Sequence, residues 1–210
     1  MNFSDTSVAV LTGDIVNSSD LEREQRQTLF AALKSAAEVI SAWNGVEPTG
    51  FERFAGDSWQ LLLTTPGIAL RACLMLRAYI RAENRTFETR ISVGIGSVEP
   101  LSSEGLGASD GVAFRLSGRG LADLPKNRFF GLHGSAEVNA AFILADSISQ
   151  DWTQKQAAAL VHGLQPNRIS HDAMAQILGI SKQAVAKRLA SAKAPALLAA
   201  AELFEDNLLR

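Results

Sequence analysis

The chain has 210 residues, a formal net charge of -2 and 47% hydrophobic residues. That length suits one large domain, or one medium domain plus a small one, and the apolar content excludes an intrinsically disordered chain. A near-neutral balance gives no global field for nucleic acid, so any DNA contact has to come from a local basic cluster. The single cysteine, Cys73, excludes an internal disulfide and reads as a small core residue. With no leader signature and no apolar run long enough to span a bilayer, a cytoplasmic protein with no membrane partner is expected.

The run Val8-Ala9-Val10-Leu11, ended by Thr12-Gly13-Asp14, predicts a buried strand. Residues 21–43 place Leu29, Leu33, Ala36, Ala37 and Ile40 on one face of an amphipathic helix, closed by Asn44-Gly45. Residues 46–54 and 58–64 predict a hairpin around Ala55-Gly56-Asp57, and Pro66-Gly67 opens a helix over 68–82. Residues 89–98 alternate around Ile91, Val93 and Ile95 as a strand, and the Gly- and Ser-rich stretch 99–109 predicts a mobile loop. A helix over 112–124, a short strand over 128–133 and a helix over 135–148 follow. The order β-α-β-β-α-β-α-β predicts an α+β fold, a ferredoxin-like or palm domain whose largely antiparallel sheet carries helices on one face. At Ser149-Gln150 the character becomes purely helical, which sets a boundary between residues 1–149 and 150–210.

In the second part a helix begins near Asp151-Trp152-Thr153 and Gln165-Pro166-Asn167 breaks it. Ser170 then caps a short helix, Ala175 is small where two helices cross, and Gly179 permits the positive φ of a tight turn. Ile180 plugs the gap. Ser181 caps the next helix and can bond a phosphate, while Val185 and Leu189 bury that helix. Lys182, Gln183, Lys187 and Arg188 remain on exposed faces. Residues 170–189 resemble the bacterial helix-turn-helix superfamily of small regulators and sigma-factor-like domains. The resemblance implies a DNA-binding domain with a recognition helix over 182–192 in the major groove. Gln183 would then read adenine, and Lys182, Lys187 and Arg188 would hold phosphate or guanine. The helix over 194–209, with Leu197, Leu198, Ala201, Leu203, Phe204 and Leu208, offers an apolar face to its own copy. A homodimer would present paired recognition helices.

Two aspartates stand out in the first part. Asp14 ends the first strand and Asp57 lies in the hairpin turn Arg53-Phe54-Ala55-Gly56-Asp57-Ser58-Trp59, an arrangement that can bring two hard-oxygen ligands together. Asn17, Ser18 and Ser19 either cap the next helix or bond phosphate oxygens. Residues 8–148 resemble the class III nucleotidyl cyclases and, more distantly, the GGDEF diguanylate cyclases. Asp14-Ile15 looks like the first metal-binding pair, Gly56-Asp57 like the second metal aspartate, and residues 90–96 like the shared central strand. Gly111-Val112-Ala113-Phe114-Arg115-Leu116-Ser117-Gly118-Arg119 falls where cyclases carry Gly-x-x-Val-Asn-x-x-x-Arg.

The cyclase resemblance implies a domain that binds nucleotide with Mg²⁺ or Mn²⁺ held by Asp14, Ile15 and Asp57, with nucleotide contacts from Asn17, Ser18, Arg53 and Asp110. It also implies a dimer that builds its sites at the subunit interface. Arg119 matches the transition-state arginine, but Arg115 stands where its asparagine partner belongs. Ser58-Trp59 replaces Glu-Phe of the GGDEF pattern, Arg53 stands at the base-reading lysine, and the adenine-reading position aligns near Ala108, with Asp110 close by. The opening AVLTGDIVNSS and the fused helix-turn-helix are also similar to SatD-like proteins. Three functions stay open: a DNA-binding regulator whose cyclase-like domain senses a nucleotide, an active nucleotidyl cyclase or transferase, and a non-catalytic dimerisation platform. The missing asparagine favours the first over the second, and the aspartate pair argues against the third.

Overall fold

In the computed structural model, which describes residues 7–44, 50–54 and 56–208, alternation along the first strand decides what lies on each side of the sheet. In β1 (Val8–Ile15), Ala9, Leu11 and Ile15 point into the main core, while Val10 and Thr12 point to the opposite side. The other strands are β2 (Phe51–Phe54), β3 (Ser58–Leu63), β4 (Thr89–Gly96) and β5 (Phe130–His133). They form one five-stranded sheet in the order β2-β3-β1-β4-β5, in which only β4 and β5 run parallel. The α+β order expected from the sequence is therefore present. Residues 45–49 and 55, where the sequence places a helix cap, the start of β2 and part of the hairpin turn, lie outside the described residues.

The helices do not all share one face, as the sequence pattern suggested. Helices α1 (Arg23–Asn44) and α2 (Ala69–Glu83) bury Leu29, Leu33, Ile40, Leu70 and Leu74 against one side. Helix α3 (Val112–Ala122) packs Ala113 and Phe114 against Val10 on the other. The reason is written into alternate positions of β4, where Gly94 and Gly96 leave room for α3. A Cβ at Gly94 would run into the Ala113 carbonyl and the Ser117 N–H, both backbone groups that cannot swing aside. Gly94→Ala is therefore expected to destabilise the fold by about 1–3 kcal/mol, read as a lowered urea midpoint at unchanged slope.

The stretch over 99–109, expected to be mobile, is an internally bonded loop. Glu52 of β2 accepts hydrogen bonds from the Leu106 and Gly107 N–H groups, and Ser102 N–H donates to Ser109 Oγ at 3.0 Å. Helix α4 (Ala136–Gln150) ends where the sequence changes character. Beyond it come α5 (Gln154–Gly163), α6 (His171–Leu178), α7 (Lys182–Ser191) and α8 (Ala194–Leu208). These helices share one hydrophobic cluster with the sheet and α2, running through Trp152, Leu160, Leu164, Val185, Leu189 and Leu197. Arg71 of α2 reaches the Leu164 carbonyl at 3.1 Å and pairs with Glu205 of α8 at 2.6 Å.

That packing corrects the role expected for the last helix. Leu197, Ala201 and Phe204 of α8 are buried within their own chain, and Phe142 of α4 meets Phe204 edge-on with centroids 5.3 Å apart. Among the described side chains of α8, Leu203 is the one large apolar group left strongly exposed, so most of the stripe expected to meet a second copy is spent inside the chain. Cys73 is fully buried in α2, and burial pushes its thiol pKa far up, as suits an inert core residue. Among the described residues, no helix is long and apolar enough to cross a membrane.

Candidate functional site

The strand register collects a charged cleft at the end of β1. Asp14 lies opposite Ser58 of β3 on one side and Arg90 of β4 on the other, so these side chains share the α3 face of the sheet. After Ile15 the chain turns sharply, with Asn17 in the left-handed region (φ 51°), a conformation asparagine tolerates better than most residues. Arg26 of α1 fixes that turn by donating to the Ser18 carbonyl at 3.1 Å. The hairpin brings Asp57 alongside, where its carbonyl accepts the Ile15 N–H at 3.3 Å. Lys126 and Phe129 close the opposite wall, leaving a cleft of about 370 Å³ lined also by Val16, Asn17, Ser18 and Ser19.

The electrostatics centre on Arg90. Its Nε donates to Asp14 Oδ1 at 2.9 Å and its Nη2 to Asp14 Oδ2, a two-pronged ion pair. The bond to Asp14 raises the arginine's already high pKa against the opposing effect of burial, with the charges of Asp14 and Asp57 adding to it. Asp57 Oδ2 accepts the Ser18 hydroxyl at 2.6 Å. Thr89 Oγ1 donates to the Asp14 carbonyl at 2.7 Å and itself accepts Trp59 Nε1 at 3.0 Å, so the floor of the cleft is rigidly held. Ile15 keeps its side chain in the core and can offer the cleft only backbone atoms.

No group of three or more His, Cys, Asp or Glu side chains that could hold a metal is found among the described residues. Two carboxylates nevertheless suit Mg²⁺ or Mn²⁺ that arrives with a polyphosphate, because such ions take one or two carboxylates and fill their other positions with phosphate and water. The donor set fits a metal carried in with its ligand and does not make an all-protein cage. With Arg90 on both oxygens of Asp14, the repulsion expected between two adjacent carboxylates is already relieved.

Four of the residues singled out in the sequence lie elsewhere. Arg53 sits opposite Trp59 in the β2–β3 register and projects to the α1 side, where it stacks over the Phe30 ring at 4.0 Å and donates to the Gly56 carbonyl at 2.8 Å. Strand alternation, which puts Asp14 and Ser58 on one face, puts Arg53 on the other. Asp110 is exposed, accepts the Gly111 N–H at 2.6 Å and pairs with Arg115 at 2.7 Å. The Gly111 N–H and then Arg115 hold its carboxyl below the usual range. Arg115 and Arg119 lie exposed on one face of α3 and do not line the cleft of their own chain. Conversely, Lys126 and Phe129 had no signal in the sequence, and Arg90 appeared only as the start of the central strand. The period-two pattern of β1 and β4 could have put Arg90 beside Asp14, given the pairing.

The second candidate surface is α6-turn-α7. Ser170 Oγ accepts the Ala173 N–H at 3.1 Å and Ser181 Oγ the Ala184 N–H at 3.2 Å, so both are N-caps. Gly179 takes the left-handed conformation (φ 63°), and the Ile180 N–H reaches the Ala175 carbonyl at 3.0 Å, which turns the chain within three residues. Val185 and Leu189 are buried, whereas Gln183 and Lys187 are exposed one helical turn apart, with Arg188 half-buried. Lys182 is tied to Asp172 of α6 at 2.7 Å.

No family model matches the chain, and neither does any curated protein sequence. Similar solved structures include guanylyl and adenylyl cyclases. One is the catalytic core of a rhodopsin-guanylyl cyclase with converted specificity in complex with ATPαS, at 16% identity and a TM-score of 0.43 over 60% of this chain and 76% of that one. Another is the guanylyl cyclase Cya2, at 16% identity and a TM-score of 0.41 over 63% and 77%. A third is the adenylyl cyclase CyaB from P. aeruginosa, at 17% identity and a TM-score of 0.40 over 62% and 77%.

Proposed function

We propose that this chain is a DNA-binding transcriptional regulator whose sheet domain senses a nucleotide. The β1-end cleft takes the phosphates of a nucleoside triphosphate together with Mg²⁺ or Mn²⁺, and α7 enters the DNA major groove. The observation that carries the reading is the grouping of Asp14, Asp57 and Arg90 with Lys126 in one cleft. Two carboxylates suit the metal, and two cations suit the phosphates. A metal would be held by Asp14 and Asp57, where it would neutralise phosphate charge. With a metal held by the two carboxylates, Arg90 would be free to pair with a phosphate. Asn17 and Ser18 border the same space and contribute polar contacts. On the DNA side, the exposed stripe of Gln183 and Lys187, with the Ser-capped N-termini of α6 and α7, supports α7 as the recognition helix.

The alternative is an active nucleotidyl cyclase. It draws on the exposed face of α3, where Arg115 and Arg119 point away from their own cleft and toward whatever chain packs there. In a homodimer built through that face they would reach the partner's nucleotide. Incubation with each of the four nucleoside triphosphates and Mn²⁺, followed by chromatography, separates the two readings. The sensor binds a triphosphate and returns it unchanged, and the enzyme yields a new nucleotide and pyrophosphate. Light scattering at micromolar concentration reports the dimer that both readings require.

A further inference from the structure

Just before the strand that carries Arg90, at Glu88, begins a buried polar chain that ends on α7. Glu88, two residues before Arg90, is buried, and its carbonyl accepts the Val16 N–H of the cleft loop at 3.0 Å. Its carboxylate accepts Arg77 Nε at 3.2 Å and Arg81 Nη2 at 2.8 Å, both from α2. Arg81 Nη1 then donates to the carbonyls of Gln150 at 2.6 Å and Trp152 at 3.2 Å. Trp152, itself buried, donates its indole N–H to the Ala192 carbonyl at 3.0 Å, at the C-terminal end of α7. A second branch leaves the opposite wall of the cleft. The N–H groups of Phe129 and Phe130 donate to Asp146 at 3.1 and 3.3 Å, and Asp146 lies 2.8 Å from Arg77 Nη2 in an ion-pair contact off the hydrogen-bond axis.

Such a chain is costly to build. Each charged group taken out of water needs its partners in place, and a shift in one leaves another unpaired in a low-dielectric interior. The cleft end has a ready source of two arrangements. Arg90 lies on Asp14 in this structure, and the functional reading above gives it to a phosphate when the cleft is filled. Thr89, bonded through its hydroxyl to the Asp14 carbonyl and through its N–H to Glu88 Oε1 at 3.1 Å, stands between the two groups.

We infer that the buried chain Glu88–Arg81–Trp152 couples occupancy of the cleft to the seating of α7, so that triphosphate in the cleft and DNA on α7 alter each other's affinity. The inference rests on the proposed function, and the experiment distinguishes the two. A genomic DNA fragment enriched by selection is titrated against the full chain, with and without saturating ATP or GTP and Mn²⁺, and each nucleotide is titrated with and without the fragment. Linkage requires the two affinities to change by the same factor, expected to be about 5- to 150-fold. Trp152→Phe keeps an aromatic ring and deletes the bond to Ala192, while leaving a smaller side chain in a buried site. Glu88→Gln is isosteric and weakens the other end, and serves as the second variant should the first not fold. In a folded variant each ligand alone is expected to bind as it does to wild type, while the coupling factor falls toward one, a result that a purely structural role would not give. If wild type binds neither ligand, the functional reading fails and the inference with it. If both ligands bind wild type with a factor of one, or if the folded variants keep the wild-type factor, the coupling alone is overturned.

Discussion

Replacing Arg90 with alanine is expected to weaken triphosphate binding by about 10- to 100-fold, the range for losing a hydrogen bond to a charged partner in a partly enclosed site. The substitution removes a phosphate partner and also leaves Asp14 and Asp57 facing each other uncompensated, so the affinity that remains should depend more steeply on Mn²⁺ than in wild type. Asp57→Ala gives the complementary outcome. Among the described residues the Asp57 carboxylate bonds the Ser18 hydroxyl alone, so its loss should spare the fold and abolish the metal-dependent part of the affinity. Asp14→Ala should do the same while freeing Arg90. Calorimetric titration with and without Mn²⁺ reads all three. Wild-type curves from Arg90→Ala and both aspartate variants would remove the site.

The second large effect concerns DNA. Binding is expected to fall steeply with salt, with a log-log slope of about -0.9 for each phosphate contacted, because neutralised phosphates release their counterions. Gln183 is exposed in the first turn of α7, and Gln183→Ala should change sequence preference by about 1–3 kcal/mol at the base it reads. Lys187→Ala with Arg188→Ala should weaken every sequence alike and flatten the salt slope. Lys182 is already satisfied by Asp172, so its removal should cost less than that of Lys187, which pairs with no acid among the described residues. Fragment selection followed by anisotropy titration tests these effects together. If no sequence is enriched and the Lys187/Arg188 double variant binds as wild type does, α7 is an interaction surface and not a DNA reader.

Much of this molecule was legible in its residues because the signals are local. A capping serine needs only the N–H three residues on, and a turn glycine needs only its own φ. The succession of strands and helices, the caps at Ser170 and Ser181 and the turn at Gly179 could therefore be read directly, and the structure carries them. Asp14 and Asp57 could each be picked out as well, since a strand end and a hairpin turn are local features, while the β1–β3 register is what sets them side by side.

Other features depend on partners far along the chain. Arg53 and Asp57 stand four residues apart, yet Arg53 on β2 reaches Phe30 while Asp57, in the hairpin turn, lies in the cleft. Arg90 belongs to the site only because β4 lies beside β1 in a register that sets it against Asp14. The apolar stripe of α8 reads equally well as a dimer seam or as a core face, and packing against α2 and α4 decided for the core. Sequence alone thus determined the elements and their caps, through interactions within a few residues. Tertiary structure decided which face each side chain joins, which cation sits on Asp14 and whether an apolar stripe is left for a partner, because each of these is settled by the one packing that covers the most apolar surface and leaves the fewest buried charges unpaired.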